Sequence, residues 1–263
     1  MNAGGGSSPG GSGPGGTGPL GRSLGGIGLA AVLAGALFAA GFLIQPRPAG
    51  AAEPQAGAPA RAERAVPDAA DQLFDTPQLA GVPPGMVLTY AYARTVTDPE
   101  LGPSFTDRIR LAIEPKQVTS EARDVTVDFF SAERHRAAGP FENTRTNPVL
   151  MLFLENHIAD LARTLKSNPR YFKNAIRAAL RDAAEVVPAD IAVDGRQLTG
   201  WRITIAPFRD DANATRMRGL GSLVYTFETV PGLPGHIARI SVAAEAPGGR
   251  LWEESIRYDP KGS

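Results

Sequence analysis

Residues 147 to about 185 carry a helical hydrophobic period, whereas the chain on both sides alternates with the period of two that marks half-buried strands. A helical insertion between two runs of strands restricts the fold sharply. Strands joined by tight turns are antiparallel, and a helix pair between two such runs must cover one face of their sheet. Both helices begin the same way, with Asn147-Pro148 and Asn168-Pro169. The Asn side chain accepts a free N–H of the first turn. Pro fits the first helical position, where its missing N–H costs nothing.

Three strands are predicted before the helices. Met86, Leu88, Tyr90 and Tyr92 share one face of Met86–Val96; Ile109, Leu111 and Ile113 share one face of Phe105–Glu114; Val125, Val127 and Phe129 mark the third. The stretch through Gly139-Pro140 reads as a polar loop. After the helices come Ile191–Val193, Gln197–Phe208, Leu223–Val230, His236–Ala246 and Leu251–Tyr258. Asp194-Gly195 is a type I′ hairpin signal, and Pro231–Gly235 and Pro247-Gly248-Gly249 are turn material. The expected fold class is α+β: a curved, half-barrel-like antiparallel sheet of about eight strands, with the two-helix insertion at 147–185 packed on one face.

Composition organises the rest of the chain. Residues 1–51 combine a Gly/Ser/Pro-rich start with an apolar run, Leu24 to Ile44, preceded by Arg22 and followed by Pro46, Pro48 and Ala49-Gly50-Ala51. That order is the order of a secretory signal cleaved after Ala51. The run is also long enough to serve as an uncleaved membrane anchor. Either way the domain is expected outside the cytoplasm, periplasmic, or tethered to the inner membrane if the run is kept. Residues 52–70 are rich in Ala, Pro and Glu and read as a disordered linker. Residues 71–259 suit one domain.

The chain has 27 Lys and Arg against 27 Asp and Glu, so nothing in its charge argues for nucleic acid. It has no Cys, which excludes disulfides, thiol nucleophiles, Cys-bound zinc and a lipidated cysteine at the export junction. Nucleotide loops, HExxH and a GxSxG elbow are all missing from the folded part, and no cofactor is expected.

Three stretches carry a resemblance: LFDTPQLAGVPPG, FENTRTNPVLMLFLENHIADLAR and NPRYFKNAIRAAL. Together they resemble a group of exported proteobacterial proteins of unknown function, most specifically through the NPVLMLFLE and YFKNAIRAAL helices. The resemblance implies an envelope location and brings no site residues with it. At the level of architecture, the strand–helix–strand order is similar to the half-barrels that carry lipoproteins or lipids in the envelope.

On a helical wheel Leu150, Leu154, Ile158, Leu161 and Leu165 form the apolar face of the first helix, with Phe153 at its edge and His157 inside it. Asp160 lies three residues on. A His with a neighbouring carboxylate in an apolar setting suits a tuned acid–base or a ligand-orienting group. The plainer reading is a core His bonded to Asp160 or to a backbone carbonyl. His135 and His236 read as solvated and structural respectively, and three scattered His make no metal site. The second helix puts Phe172, Ile176, Ala179 and Leu180 on one face and Arg170, Lys173, Arg177 and Arg181 on the other. That basic face suits lipid headgroups or an anionic partner, or is simply a solvated surface.

The function expected from these readings is non-enzymatic binding of an apolar or lipid-like ligand in a cavity between sheet and helices. His157, Asp160, Phe153, Tyr90, Tyr92 and Trp201 would line that cavity. The alternative is an interaction or assembly module of the envelope with other envelope proteins as partners. A hydrolase using His157 is the third possibility, and it requires His157 in a cleft within reach of a nucleophile or water.

Overall fold

The computed structural model describes residues 65–115 and 120–263. The signal or anchor run, and the linker up to residue 64, lie outside the described residues. A π-helical turn, Asp71–Asp75, comes first. There follow β1 (Val87–Val96), β2 (Phe105–Ile113), β3 (Arg123–Phe129) and β4 (Arg136–Thr144), and then α1 (Pro148–Thr164) and α2 (Pro169–Asp182). The chain finishes with β5 (Glu185–Val193), β6 (Arg196–Ile205), β7 (Val224–Thr229), β8 (Ile237–Ala246) and β9 (Gly249–Tyr258).

The nine strands form one sheet in the order β4-β3-β2-β1-β9-β8-β7-β6-β5, and every pair is antiparallel. The path explains the order. Four strands meander outward to one edge, the helices carry the chain across to the other edge, and five strands meander back until β9 meets β1. The product is an open, half-barrel-like α+β fold with both helices on one face, as the sequence implies. Period-two patterning holds in the strands: Leu88, Tyr90 and Tyr92 point into the core, as do Ile109, Leu111, Ile113, Ile203, Ile205, Tyr225 and Phe227.

Two corrections concern the strands. The sheet has nine rather than about eight, because Arg136–Thr144, expected as a loop, is the edge strand β4. No β4 residue is fully buried, so an apolar alternation is missing. Its Pro140 is tolerated because an edge strand leaves some N–H groups unpaired anyway. Likewise β5 starts at Glu185, directly after α2, rather than near Ile191; it is the opposite edge and is mostly exposed until Ile191.

Both Asn-Pro starts cap their helices. Asn147 Oδ1 accepts from Val149 N at 3.1 Å, and Asn168 Oδ1 accepts from Arg170 N at 2.9 Å. Asn147 does more. It is 3% exposed, its Nδ2 donates to Tyr90 OH at 2.7 Å and to the Gly235 carbonyl at 3.0 Å, and its backbone N–H donates to Gln78 Oε1 at 2.9 Å. The start of α1 is therefore bonded to the sheet as well as capped. Gly235, at φ +72°, permits this: a Cβ there would sit 2.7 Å from Asn147 Nδ2. The C-terminal residues are tied in too, with Thr89 N donating to Ser263 Oγ at 2.8 Å.

Candidate functional site

Helix α1 has two buried stripes rather than one. Val149, Phe153, His157 and Asp160, spaced three and four apart, face the sheet; Leu150, Leu154 and Ile158 face α2 and the surface. The two stripes build two different sites.

The sheet-facing stripe closes a polar network. β1 and β9 place Arg94 and Glu254 directly opposite each other on the inner face, and α1 presents His157 and Asp160 above them. His157 Nδ1 lies 2.6 Å from Glu254 Oε2, and Arg94 Nη1 lies 2.9 Å from Asp160 Oδ2. Tyr92 OH donates to Glu254 Oε1 at 2.8 Å, and His157 Nε2 lies 3.0 Å from Tyr225 OH. As a carboxylate Glu254 only accepts, so Nδ1 carries the proton and, in the neutral ring, Nε2 accepts from Tyr225. Arg94 also donates to the Leu101 carbonyl and sits 4.0 Å above the Trp252 ring. Burial, reinforced by the Glu254 charge, pushes the Tyr92 and Tyr225 hydroxyls well above the usual tyrosine value.

His157 and Glu254 are both 0% exposed. The His157 ring packs between Phe153, Tyr225 and Trp252, with centroids at 6.4, 5.4 and 6.1 Å. The plainer sequence reading therefore needs revision in its partners. His157 is a core histidine bonded to Glu254 and Tyr225, whereas Asp160 pairs with Arg94 and, at 2.5 Å, with Arg163. Tyr92 joins this network. Tyr90 is bonded to Asn147, Phe153 stacks on His157, and Trp201, 4% exposed, shares the inner face of β6 with Ile203 and Ile205. The hydrolase reading asks for His157 in a cleft, and His157 has no exposed surface.

The second stripe borders a cleft of about 560 Å³ between α1, α2, β4 and the N-terminal helical turn. Such a volume lies in the usual range of small-ligand sites, roughly 300–1,000 Å³. Leu150, Leu154, Ile158, Ile176 and Leu180 make its floor, each under a tenth exposed. Met151 and Phe74, 47% and 39% exposed, flank its mouth. Along α2, Lys173, Arg177 and Arg181 line it at intervals of four residues. Glu155 lines it from α1 and pairs with Lys173; Arg181 pairs with Asp182 at 2.8 Å. Arg177 has no ion pair among the described residues.

Three of the four α2 cations read from sequence thus meet at one cleft; Arg170 is not among its lining residues. The six residues expected to line a ligand cavity do not line this one either. His135 is exposed, and its Nε2 lies 3.0 Å from Asp128 Oδ1. Among the described residues, no group of three His, Asp or Glu side chains is placed to hold a metal ion, and no helix is long and apolar enough to cross a membrane.

No family model matches this chain, and no curated protein does. Among solved structures it is similar to the crystal structure of Mycobacterium tuberculosis lipoprotein LppX. The two are 11% identical over 66% of this chain and 84% of that one, with a TM-score of 0.27. At that score the likeness says nothing of function. The resemblance of the NPVLMLFLE and YFKNAIRAAL helices to exported proteobacterial proteins has no sequence match behind it.

Proposed function

We propose that this is a non-enzymatic binding protein of the cell envelope that holds the acyl chain of an anionic lipid-like ligand in the α1–α2 cleft. The observation that carries the reading is the pairing of an apolar floor with a cationic wall in one cleft. Leu154, Ile158, Ile176 and Leu180 offer an apolar surface, and Arg177 stands beside it with no ion-pair partner among the described residues. An apolar cleft with a few placed polar groups is the ordinary form of a small-molecule site. A guanidinium matches carboxylate and phosphate geometry better than an ammonium does. The sheet–helix seam, where the sequence places the cavity, is instead filled by Phe153, His157, Tyr225 and Trp252. An envelope location follows from the Arg22, Leu24–Ile44 and Ala49-Gly50-Ala51 order.

Native mass spectrometry of the purified protein, with extraction and identification of what it releases, tests this. A bound amphiphile with an anionic head supports it. Protein that is fully folded and carries no amphiphile, even after incubation with fatty acid, contradicts it.

A second reading is favoured by the two open sheet edges. Val187 on β5 is 37% exposed, and an edge strand invites pairing with another chain. In that reading the protein is an assembly module, and cross-linking from β5 would recover an envelope protein.

A further inference from the structure

We infer that the mouth of the α1–α2 cleft is a docking face for an anionic lipid bilayer. The inference rests on the reading of the cleft as an acyl-chain site and adds the source of the chain: it slides in from the membrane instead of crossing water.

The first observation is where exposed apolar side chains lie. Four large hydrophobic residues are exposed among the described residues: Val66, Phe74, Met151 and Val187. Phe74 and Met151 flank the cleft. Val66, 61% exposed, lines a neighbouring hollow that shares Leu180 and Arg181 with it. Two of the four therefore flank one mouth, although Phe74 and Met151 are far apart in sequence, and a third lies in the adjoining hollow. Exposed apolar side chains gathered at one place mark an interaction surface, whereas scattered ones do not.

The second observation is charge. The whole chain is balanced, yet α2 carries Arg170, Lys173, Arg177 and Arg181 against Asp182 alone. Large apolar side chains beside a basic helix face suit the boundary between acyl chains and anionic headgroups.

The absence of cysteine makes the test direct. Single Cys variants of the full chain, Met151→Cys, Phe74→Cys and Arg108→Cys, are labelled with an environment-sensitive dye and reconstituted with vesicles. Arg108 is exposed on β2, on the sheet face away from the helices. The vesicles contain phosphatidylcholine alone or with phosphatidylglycerol, and carry brominated acyl chains as quenchers. Labels at 151 and 74 are quenched several-fold more than the label at 108. That quenching falls when phosphatidylglycerol is omitted, when salt is raised, and when Arg170 and Arg177 are both changed to Glu. Equal quenching at all three positions overturns the inference, and so does quenching indifferent to lipid charge. Displacement of a fluorescent fatty acid from the same labelled proteins separates the two readings. Displacement without quenching leaves the cleft reading standing and sinks the docking face; quenching without any fatty-acid binding does the reverse.

Discussion

Replacing His157 by Leu strands the Glu254 carboxylate in the core. Glu254 is fully buried and accepts two hydrogen bonds, from Tyr92 and from His157. The substitution keeps the apolar volume roughly and removes one of the two. Losing a hydrogen bond to a buried charged group costs about 1.5–3 kcal/mol. A folded unit of this size loses about 2–4 °C of Tm per kcal/mol, so the expected fall is roughly 3–12 °C. The effect should reverse in part when the charge goes as well. His157→Leu combined with Glu254→Gln should cost less than the sum of the two single changes, with a coupling of about 0.5–3 kcal/mol. Urea unfolding followed by circular dichroism measures all three variants. A loss below about 1 kcal/mol for His157→Leu, the size of an ordinary hydrogen bond, would refute the claim that this pair holds α1 to the sheet.

Three further outcomes follow from the same contacts. Asn147→Ala should cost about 1–2 kcal/mol, at the upper end for a lost cap, because Tyr90 loses its partner too; Asn168→Ala, whose cap is exposed, should cost less, as denaturant midpoints would reveal. Burial raises the Tyr90, Tyr92 and Tyr225 hydroxyls above 10, the value the unfolded chain retains. The stability they contribute is full below pH 10 and is lost as pH rises past it, so tyrosinate absorbance at these residues should climb together with unfolding rather than before it. Burial lowers His236 below 6.5, so stability should fall as pH drops through that value; His236→Asn, which tolerates the left-handed backbone at φ +57°, should flatten the dependence in pH-resolved melts.

Much of the architecture is legible because burial imposes a period. The helix pair is read correctly from its two Asn-Pro caps, and the inner strands from their alternation. The two edge strands escape because an edge is half solvated: β4 has no fully buried residue, and β5 is exposed until Ile191. The site is harder. The wheel puts His157 in the apolar stripe, and it does lie in the core, but its partner is 97 residues away and no local spacing shows it. A signal exists nevertheless. Arg94 shares the parity of Leu88, Tyr90 and Tyr92, and Glu254 shares the parity of Trp252, Ile256 and Tyr258, so each is an inward-facing charge awaiting a partner. The pairing of His157 with Glu254, rather than with Asp160, depends on β1–β9 register, which only the folded sheet supplies. The cleft is missed for another reason. One apolar stripe on α1 is in fact two, divided between the sheet and α2, and a wheel cannot say which neighbour each half will meet.

The central claim is that the α1–α2 cleft binds the chain of an anionic amphiphile. Displacement of a fluorescent fatty acid, measured on the wild type, on Leu154→Trp and on Arg177→Glu, tests it most directly. Leu154 is on the cleft floor, and a tryptophan there occupies the space a ligand would fill. The wild type should bind one ligand per chain saturably. Leu154→Trp should lose binding while keeping its circular dichroism spectrum, and Arg177→Glu should lose the preference for an anionic head over a neutral ester. Wild-type protein that shows no saturable binding, or a Leu154→Trp variant that binds as the wild type does, would contradict the account.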